Sequence, residues 1–441
     1  MFIQEIKARE ILDSRGNPTI ETKVALSDGS IGIASVPSGA STGSLEAIEL
    51  RDKDYARYDG FGVLRAVENV NNVIANHLYK KDPTNQIEID KLLNAIDGTR
   101  NKSHMGANAL LSVSIAVAKA ASQARKLELF QYLHSIYELV NKAMYKHENN
   151  ALEAPDVNKI TMPTPIFNII NGGKHADDDL TFQEFTVIPQ GSQNISDKIR
   201  IGSEIWHQLK KLLNENGYES EIGDEGGFAP NLSGLTFAPN VSPDERAFEL
   251  IREAIKRCGC IKENDVALGI DMAAGTFYSE NKIYSIPEEK RQLTSGEMIK
   301  HVAELIDKYN LVIVEDPLAE TDHDGWTNIT KDLAEKTILV GDDLFATDLF
   351  RLEEGVVKKQ ANGIIIKPNQ IGTLTEALET VVFAQRNKYT VIVSHRSGET
   401  NDTFIADLAV AVGANFIKAG SPVRGERVAK YNRLMEIEKL L

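Results

Sequence analysis

From residue 160 onward the chain repeats one pattern: a short unbroken apolar run that stops on a polar or charged residue. EFTVIP covers 184–189. VALGID stops at Asp271, LVIVED at Asp316, TILVGDD at Asp343, GIIIK at Lys367 and TVIVSH at His395, and FIKAG carries Lys418. Helix-length stretches separate these runs. Strands that are apolar on both faces belong in a parallel sheet covered by helices. Six or more such units favour a closed β/α barrel over an open doubly wound sheet, and no Gly-rich dinucleotide loop follows the first strand of this region. The C-terminal ends of barrel strands share one mouth, so reactive residues there read as catalytic.

The first ~40 residues follow a different rhythm. In PTIETKVALSDG, Ile20, Thr22, Val24 and Leu26 fall on one face, and Glu21 and Lys23 on the other. Asp28-Gly29 marks a hairpin, and SIGIASV returns antiparallel. Residues 106–125, rich in small apolar side chains, and 129–145 read as helices. The expected organisation is an N-terminal α+β domain over 1–140, a polar linker or exposed loop over 141–160, and a β/α barrel over 161–441. A chain of 441 residues has room for two such cores.

The formal net charge of -15 argues against a general nucleic-acid or membrane-surface role. An anionic substrate would then need local cations or metal ions to reverse the field. The only cysteines, Cys258 and Cys260, are separated by one residue, which disfavours a disulfide and fits a reducing compartment. MFIQEIKARE carries charge from residue 5 and is no signal peptide, and no apolar run is long enough to span a bilayer. The expected location is cytoplasmic.

Three strand ends deliver the carboxylates Asp271, Glu315 and Asp342, each about one βα unit from the next. Oxygen-only ligands of this kind suit a hard cation such as Mg²⁺, although any one of them alone reads better as a helix cap or a solvated acid. Lys367 follows three isoleucines. With Lys418 on another strand end, it has reason for a depressed pKa and can act as a general base. Arg396 and Ser397, after His395, suit bidentate phosphate capture. Asp224 and Glu225 stand before two glycines in GDEGGFAP, and Glu184 opens a strand; such acids can orient water or protonate a leaving hydroxyl, or be structural. PSGASTG, 37–43, is no P-loop. It reads as a mobile lid offering Ser41 or Thr42 as oxygen ligands, or as a plain turn. Together these residues fit proton abstraction next to a carboxylate, with metal holding the resulting charge.

These segments, taken in order, resemble the enolase family over nearly the whole chain. ILDSRGNPT, PSGASTG, DGTRNKS, NIINGGKHA, GDEGGFAP, EDP, GDDLF, NQIGTLTE, SHRSGET and ERVAKYN follow one another as that family has them. The resemblance implies an N-terminal α+β domain and an eight-stranded TIM-type barrel whose first strands break the regular βα order. It implies Mg²⁺-dependent interconversion of 2-phosphoglycerate and phosphoenolpyruvate with two Mg²⁺ per site. Asp271, Glu315 and Asp342 would hold the first ion and Ser41 would help hold the second. Lys367 would be the base, Glu225 the acid with Glu184 beside it, His175 and His395 substrate neighbours, Arg396 and Ser397 phosphate contacts, and Lys418 the partner of the substrate carboxylate. Arg15 and Glu426 match positions that pair between copies, which implies a homodimer or octamer.

Departures from the family pattern are Gly275-Thr276 after Asp271, Pro368 after Lys367, Ala346 and Asp348 in the GDDLF segment, and Gly425 before Glu426. Pro368 fixes φ and removes an N–H, so it can shift Lys367. An enzyme of the wider superfamily acting on another carboxylate would be expected to lack the phosphate clamp or Ser41. A catalytically altered paralogue with a binding or scaffold role would be expected to lack a ligand or the base.

Overall fold

The computed structural model describes residues 1–39, 45–146, 160–173, 180–191, 194–232, 241–259, 265–286 and 290–441. Ser41, Thr42, His175, Cys260 and most of the 141–160 segment lie outside these residues.

The chain opens with an antiparallel meander of β1 (Ile3–Leu12), β2 (Pro18–Leu26) and β3 (Ile31–Ser35). Side-chain alternation decides its orientation: Ile20, Thr22, Val24 and Leu26 are buried while Lys23 faces solvent. Gly29, at φ 90°, supplies the left-handed residue of the β2–β3 turn. A helical stretch over residues 64–78 follows, and then three longer helices, α1 (Gln86–Asp97), α2 (Ala107–Arg125) and α3 (Leu129–Met144). The small side chains of α2 let the sheet approach its backbone. A Cβ added at Gly32 of β3 would stand 2.0 Å from the Ala116 carbonyl oxygen. Thr22 and Ser112 share a buried hydroxyl–hydroxyl bond of 2.7 Å across that contact.

Eight strands then close into a barrel: β4 (Thr164–Asn171), β5 (Glu184–Pro189), β6 (Val266–Asp271), β7 (Leu311–Glu315), β8 (Ile338–Gly341), β9 (Gly363–Ile366), β10 (Thr390–Ser394) and β11 (Phe416–Lys418). Their order around the barrel is β8-β9-β10-β11-β4-β5-β6-β7. All neighbours are parallel except β5, which runs antiparallel to both β4 and β6. Two helices, α4 (Ile195–Glu215) and α5 (Pro243–Arg257), connect β5 to β6. The regular βα alternation begins only at β6, with α6 (Ser295–Tyr309), α7 (His323–Leu333), α8 (Leu349–Lys358), α9 (Leu374–Arg386), α10 (Phe404–Ala411) and α11 (Gly425–Glu438). The broken start that the family resemblance implied is therefore present.

An aliphatic plug fills the barrel. Ile166, Ile188, Ala267, Ile313, Val340, Ile365 and Ile392 form a cluster separate from the main core. β-Branched side chains make up most of this layer, and Phe416 packs against it.

Buried polar contacts fasten the N-terminal helices to the barrel. The Asp90 carboxylate of α1 accepts bonds from the Thr375 amide (2.9 Å) and hydroxyl (2.6 Å) in the first turn of α9, and from Ser114 (2.6 Å). Lys119 of α2 grips both oxygens of Asp402 at 2.6 and 2.7 Å. Burial pushes the Asp402 carboxyl up, but Lys119 and the amides of Ser35 and Phe404 bring it below its ordinary value. Lys119→Met should lower stability at pH 7 by about 3 kcal/mol, because it strands a buried carboxylate. A depressed acid contributes stability above its unfolded pKa and loses it as pH falls. The stability difference between the two proteins in urea should therefore shrink as pH falls and close only below the depressed Asp402 pKa, under its ordinary 3.8.

Candidate active site

The alternation that builds the plug also builds the mouth above it. Two residues beyond plug positions, on the same inward face, come Glu315 after Ile313, Asp342 after Val340 and Lys367 after Ile365. Lys418 stands likewise after Phe416, which packs against the plug. Asp271 lies two such steps beyond Ala267. On the reversed strand β5, Glu184 lies two steps before Ile188. Strand register finishes the alignment: Glu184 pairs with Asp271, and Asp271 with Glu315. One rung of the sheet thus carries three buried carboxylates.

Lys418 reaches into this rung. Its Nζ lies 2.7 Å from Glu184, 2.8 Å from Glu315 and 3.6 Å from Asp271. Burial pulls the lysine down, but these carboxylates hold its pKa well above the ordinary value. On the next strands Lys367 pairs with Asp342 Oδ2. Asp316, at the edge of the cluster, accepts the backbone N–H groups of Asp342 (3.0 Å) and Asp343 (2.9 Å). The acids carry the expected electrostatic burden. Burial, then the neighbouring Asp271, raises Glu315 to about 8; burial, then Asp342, raises Asp343 to about 7. Burial also raises Glu184 and Asp316 well above the usual range.

Backbone strain concentrates here. Ala273, Asp316, Ala346 and Thr347 have φ of 44°, 39°, 46° and 54°, each just past an acid-bearing strand end. Such conformations turn the chain sharply away from the mouth while leaving the acids inside it.

Beside the carboxylate rung, Glu225 Oε2 accepts from Asn168 Nδ2 at 2.9 Å and faces His395 Nε2 at 3.4 Å. Arg427 Nη1 lies 2.6 Å from His395 Nδ1. A guanidinium only donates, so Nδ1 accepts and the imidazole proton sits on Nε2, aimed at Glu225. The same fully buried guanidinium donates to the carbonyls of Arg396 (2.6 Å), Ser397 (2.6 Å) and Asp224 (3.0 Å). It thereby clamps the 395–397 loop to the 224–226 loop. Arg396 extends its own guanidinium to Glu46, at 2.8 and 3.1 Å, and to Asn369 Oδ1 at 3.2 Å. A Cβ at Gly39 would stand 2.0 Å from Arg396 Nη2, so glycine there lets the N-terminal segment close on the arginine. The N-terminal part of the chain thus completes one wall of the barrel mouth.

Two family models match the chain: enolase, N-terminal domain, over residues 3–133, and enolase, C-terminal TIM barrel domain, over residues 159–441. The chain belongs to the enolase family. The structure brings together Glu184, Glu225, Asp271, Glu315, Asp342, Lys367, His395, Arg396, Ser397 and Lys418 around the mouth, whereas Ser41 and His175 lie outside the described residues.

The donor set fits a hard divalent cation. Among the described residues, acids outnumber the lysines that face them, every donor is oxygen, and four carboxyls are pushed up by burial and by the neighbouring carboxylates. The tightest trio, with oxygens within 4.8 Å of one another, is Asp316, Asp342 and Asp343 rather than the expected Asp271, Glu315 and Asp342. Both oxygens of Asp316 already serve backbone amides, so Asp316 acts as an orienter of Asp342 and Asp343.

One expectation is corrected. Burial is the strongest influence on Lys367 and lowers its pKa, and Arg396 and Lys418 add to that. The attraction of Asp342 and Glu315 outweighs all three and raises the lysine to about 12. The expected depression reckoned with the neighbouring cation but not with the acid in contact.

Sequence reading missed Arg427, Glu46, Asn168, Asp316 and Gln370. Arg427 lies within the ERVAKYN segment, where sequence reading gives it no role, and nothing in the sequence singles out Glu46; their buried contacts reveal both. Asp316 was visible as the second acid of EDP, but its role depends on which way the backbone turns.

Burial first, and then Arg427, hold His395 down to about 4 against the opposing pull of Glu225. A histidine kept neutral in the fold contributes stability above its unfolded pKa of 6.5 that fades as pH falls toward 4. Heteronuclear NMR of the imidazole should show a neutral Nε2–H tautomer from about pH 8 down to about pH 5. Titration near 6.5 would contradict the buried Arg427 contact.

Proposed function

We propose that this chain is a Mg²⁺-dependent enolase that reversibly dehydrates 2-phosphoglycerate to phosphoenolpyruvate. One observation carries the reading: the acid rung Glu184–Asp271–Glu315, with Asp342 beside it, is flanked in one mouth by Lys367, Lys418 and the Glu225–His395 pair. The family matches over residues 3–133 and 159–441 support it.

Asp271, Glu315 and Asp342 would hold one Mg²⁺, and Ser41 would help hold a second. When bound, the ions supply positive charge for the carbanion that forms beside the substrate carboxylate; a lysine base with magnesium is the established pattern of this superfamily. Lys367 accepts the C2 proton. It must first be neutral, and loosening its contact with Asp342 removes the main attraction that keeps it charged. Arg396 and Lys418 then favour the free amine. The C2–H electrons pass first toward the substrate carboxylate and then form the C2=C3 double bond as the C3–O bond breaks. Glu225 gives the departing hydroxyl its proton, and water leaves. Glu184 lies beside it and is raised by burial, which favours a protonated acid. His395 orients Glu225 through its Nε2–H. Arg396 and Ser397 take the phosphate, for which Arg396 must exchange Glu46 for the incoming anion. Lys418 pairs with the substrate carboxylate and His175 lines the substrate. No described helix is long and apolar enough to cross a membrane. A cytoplasmic location, expected from the sequence, and a homodimer or octamer, implied by the family resemblance alone, are part of the proposal.

Ultraviolet absorbance of the enol phosphate should rise when 2-phosphoglycerate and Mg²⁺ are added, and chelation should abolish the rise. Absence of turnover at saturating Mg²⁺ overturns the reading. Lys367→Ala should reduce turnover by about 10²–10⁴-fold and stop solvent exchange of the C2 proton while substrate still binds. Persistent exchange would remove Lys367 as the base.

A further inference from the structure

The hydrogen bonds around Asp342 form a ring that begins and ends on Lys367. The Lys367 backbone N–H donates to Thr347 Oγ1 at 2.9 Å. Thr347 Oγ1 donates to Gln370 Oε1 at 2.7 Å. Gln370 Nε2 donates to Asp342 Oδ1 at 3.0 Å, and the Lys367 ammonium closes the ring on Asp342 Oδ2. Thr347 and Gln370 are 0% and 1% exposed, so water does not substitute for either.

Donor logic fixes the direction of every link. The Thr347 oxygen accepts the amide N–H and has one proton to give. It spends that proton on Gln370 Oε1, which leaves Nε2 facing the carboxylate. The reversed amide would set oxygen against oxygen at Asp342. Backbone contacts hold the two intermediates still. The Gln370 N–H donates to the Lys367 carbonyl at 2.9 Å, and the Gln370 carbonyl accepts from Ala47 at 2.8 Å. The Thr347 carbonyl accepts from the Thr380 hydroxyl at 2.9 Å. Pro368 opens the short 3-10 turn Pro368–Gln370, so its fixed φ swings Gln370 back over the strand end. A departure from the family sequence is thus accommodated as part of the turn that forms the ring.

We propose that Gln370 is a positioning residue that sets the orientation of the Asp342 carboxylate relative to Lys367. The inference rests on the reading of Lys367 as base and Asp342 as metal ligand. By occupying Oδ1, the amide leaves Oδ2 as the oxygen available in the mouth. It ties that carboxylate to the amine, because Gln370 and Lys367 leave the same strand end, that of β9. A glutamine that only filled a buried turn would affect stability but leave metal binding and turnover alone.

The test compares Gln370→Met, which keeps length without the amide, with Thr347→Val and Thr347→Ser, which remove or keep the hydroxyl. Mg²⁺ alone is titrated calorimetrically into each protein without substrate, and kcat and KM for 2-phosphoglycerate are measured separately. Gln370→Met should weaken Mg²⁺ binding about 10-fold and lower kcat about 10–100-fold, with KM within about 3-fold of wild type. Thr347→Val should lower kcat about 10-fold, and Thr347→Ser should restore it. Unchanged Mg²⁺ affinity and kcat in folded Gln370→Met overturns the proposal. If that variant does not fold, equal damage from Thr347→Val and Thr347→Ser overturns it. If the wild type fails to dehydrate 2-phosphoglycerate, the functional reading falls, but the Mg²⁺ titrations still decide the role of Gln370.

Discussion

Carboxylates withdrawn from water repel one another and resist ionisation, and the barrel mouth is organised around that repulsion. Glu184, Asp271, Glu315, Asp316, Asp342 and Asp343 crowd a space in which Lys367 and Lys418 are the nearest balancing charges. Neither lysine can be understood apart from the acids: each is buried, each would be neutral in an apolar pocket, and each is kept charged by its carboxylate contacts. A site of this kind is held in tension. Any cation, or any substrate anion that claims Lys418 or Arg396, redistributes every other interaction in the cluster.

Such crowding needs a rigid frame. The aliphatic plug supplies it by fixing the inward face of each strand. The acids and lysines are simply the next inward positions after Ile313, Val340, Ile365 and Phe416. Antiparallel β5 reaches the same rung from the other direction, which is why Glu184 opens its strand while Asp271 closes its own. Side chains on a closed barrel have little freedom to relax apart, so the electrostatic load is carried by protonation state, backbone strain and hydrogen bonding rather than by movement.

Much of this was legible from residue order. Apolar runs with polar ends place Asp271, Glu315, Lys367 and Lys418 correctly, because period two and strand direction leave few choices. The hairpin at Asp28-Gly29 and the helix that begins at Ala107 are equally local features. What escaped was whatever depends on contacts between distant segments. The reversal of β5 leaves no mark in EFTVIP, whose apolar run suits either direction, and it came only from the family resemblance. The charge state of Lys367 hinges on Asp342, 25 residues away, approaching more closely than Lys418 or Arg396. Glu46 and Arg396 meet across 350 positions, a pairing that no spacing rule anticipates.

Arg427 has one further consequence. Its guanidinium ties the loops at 224 and 395–397 together, yet it belongs to α11, downstream of every barrel strand. Eight paired strands alone therefore leave the Glu225–His395 geometry unfixed: the sheet encloses the pair, and a helix packed outside the sheet aligns it.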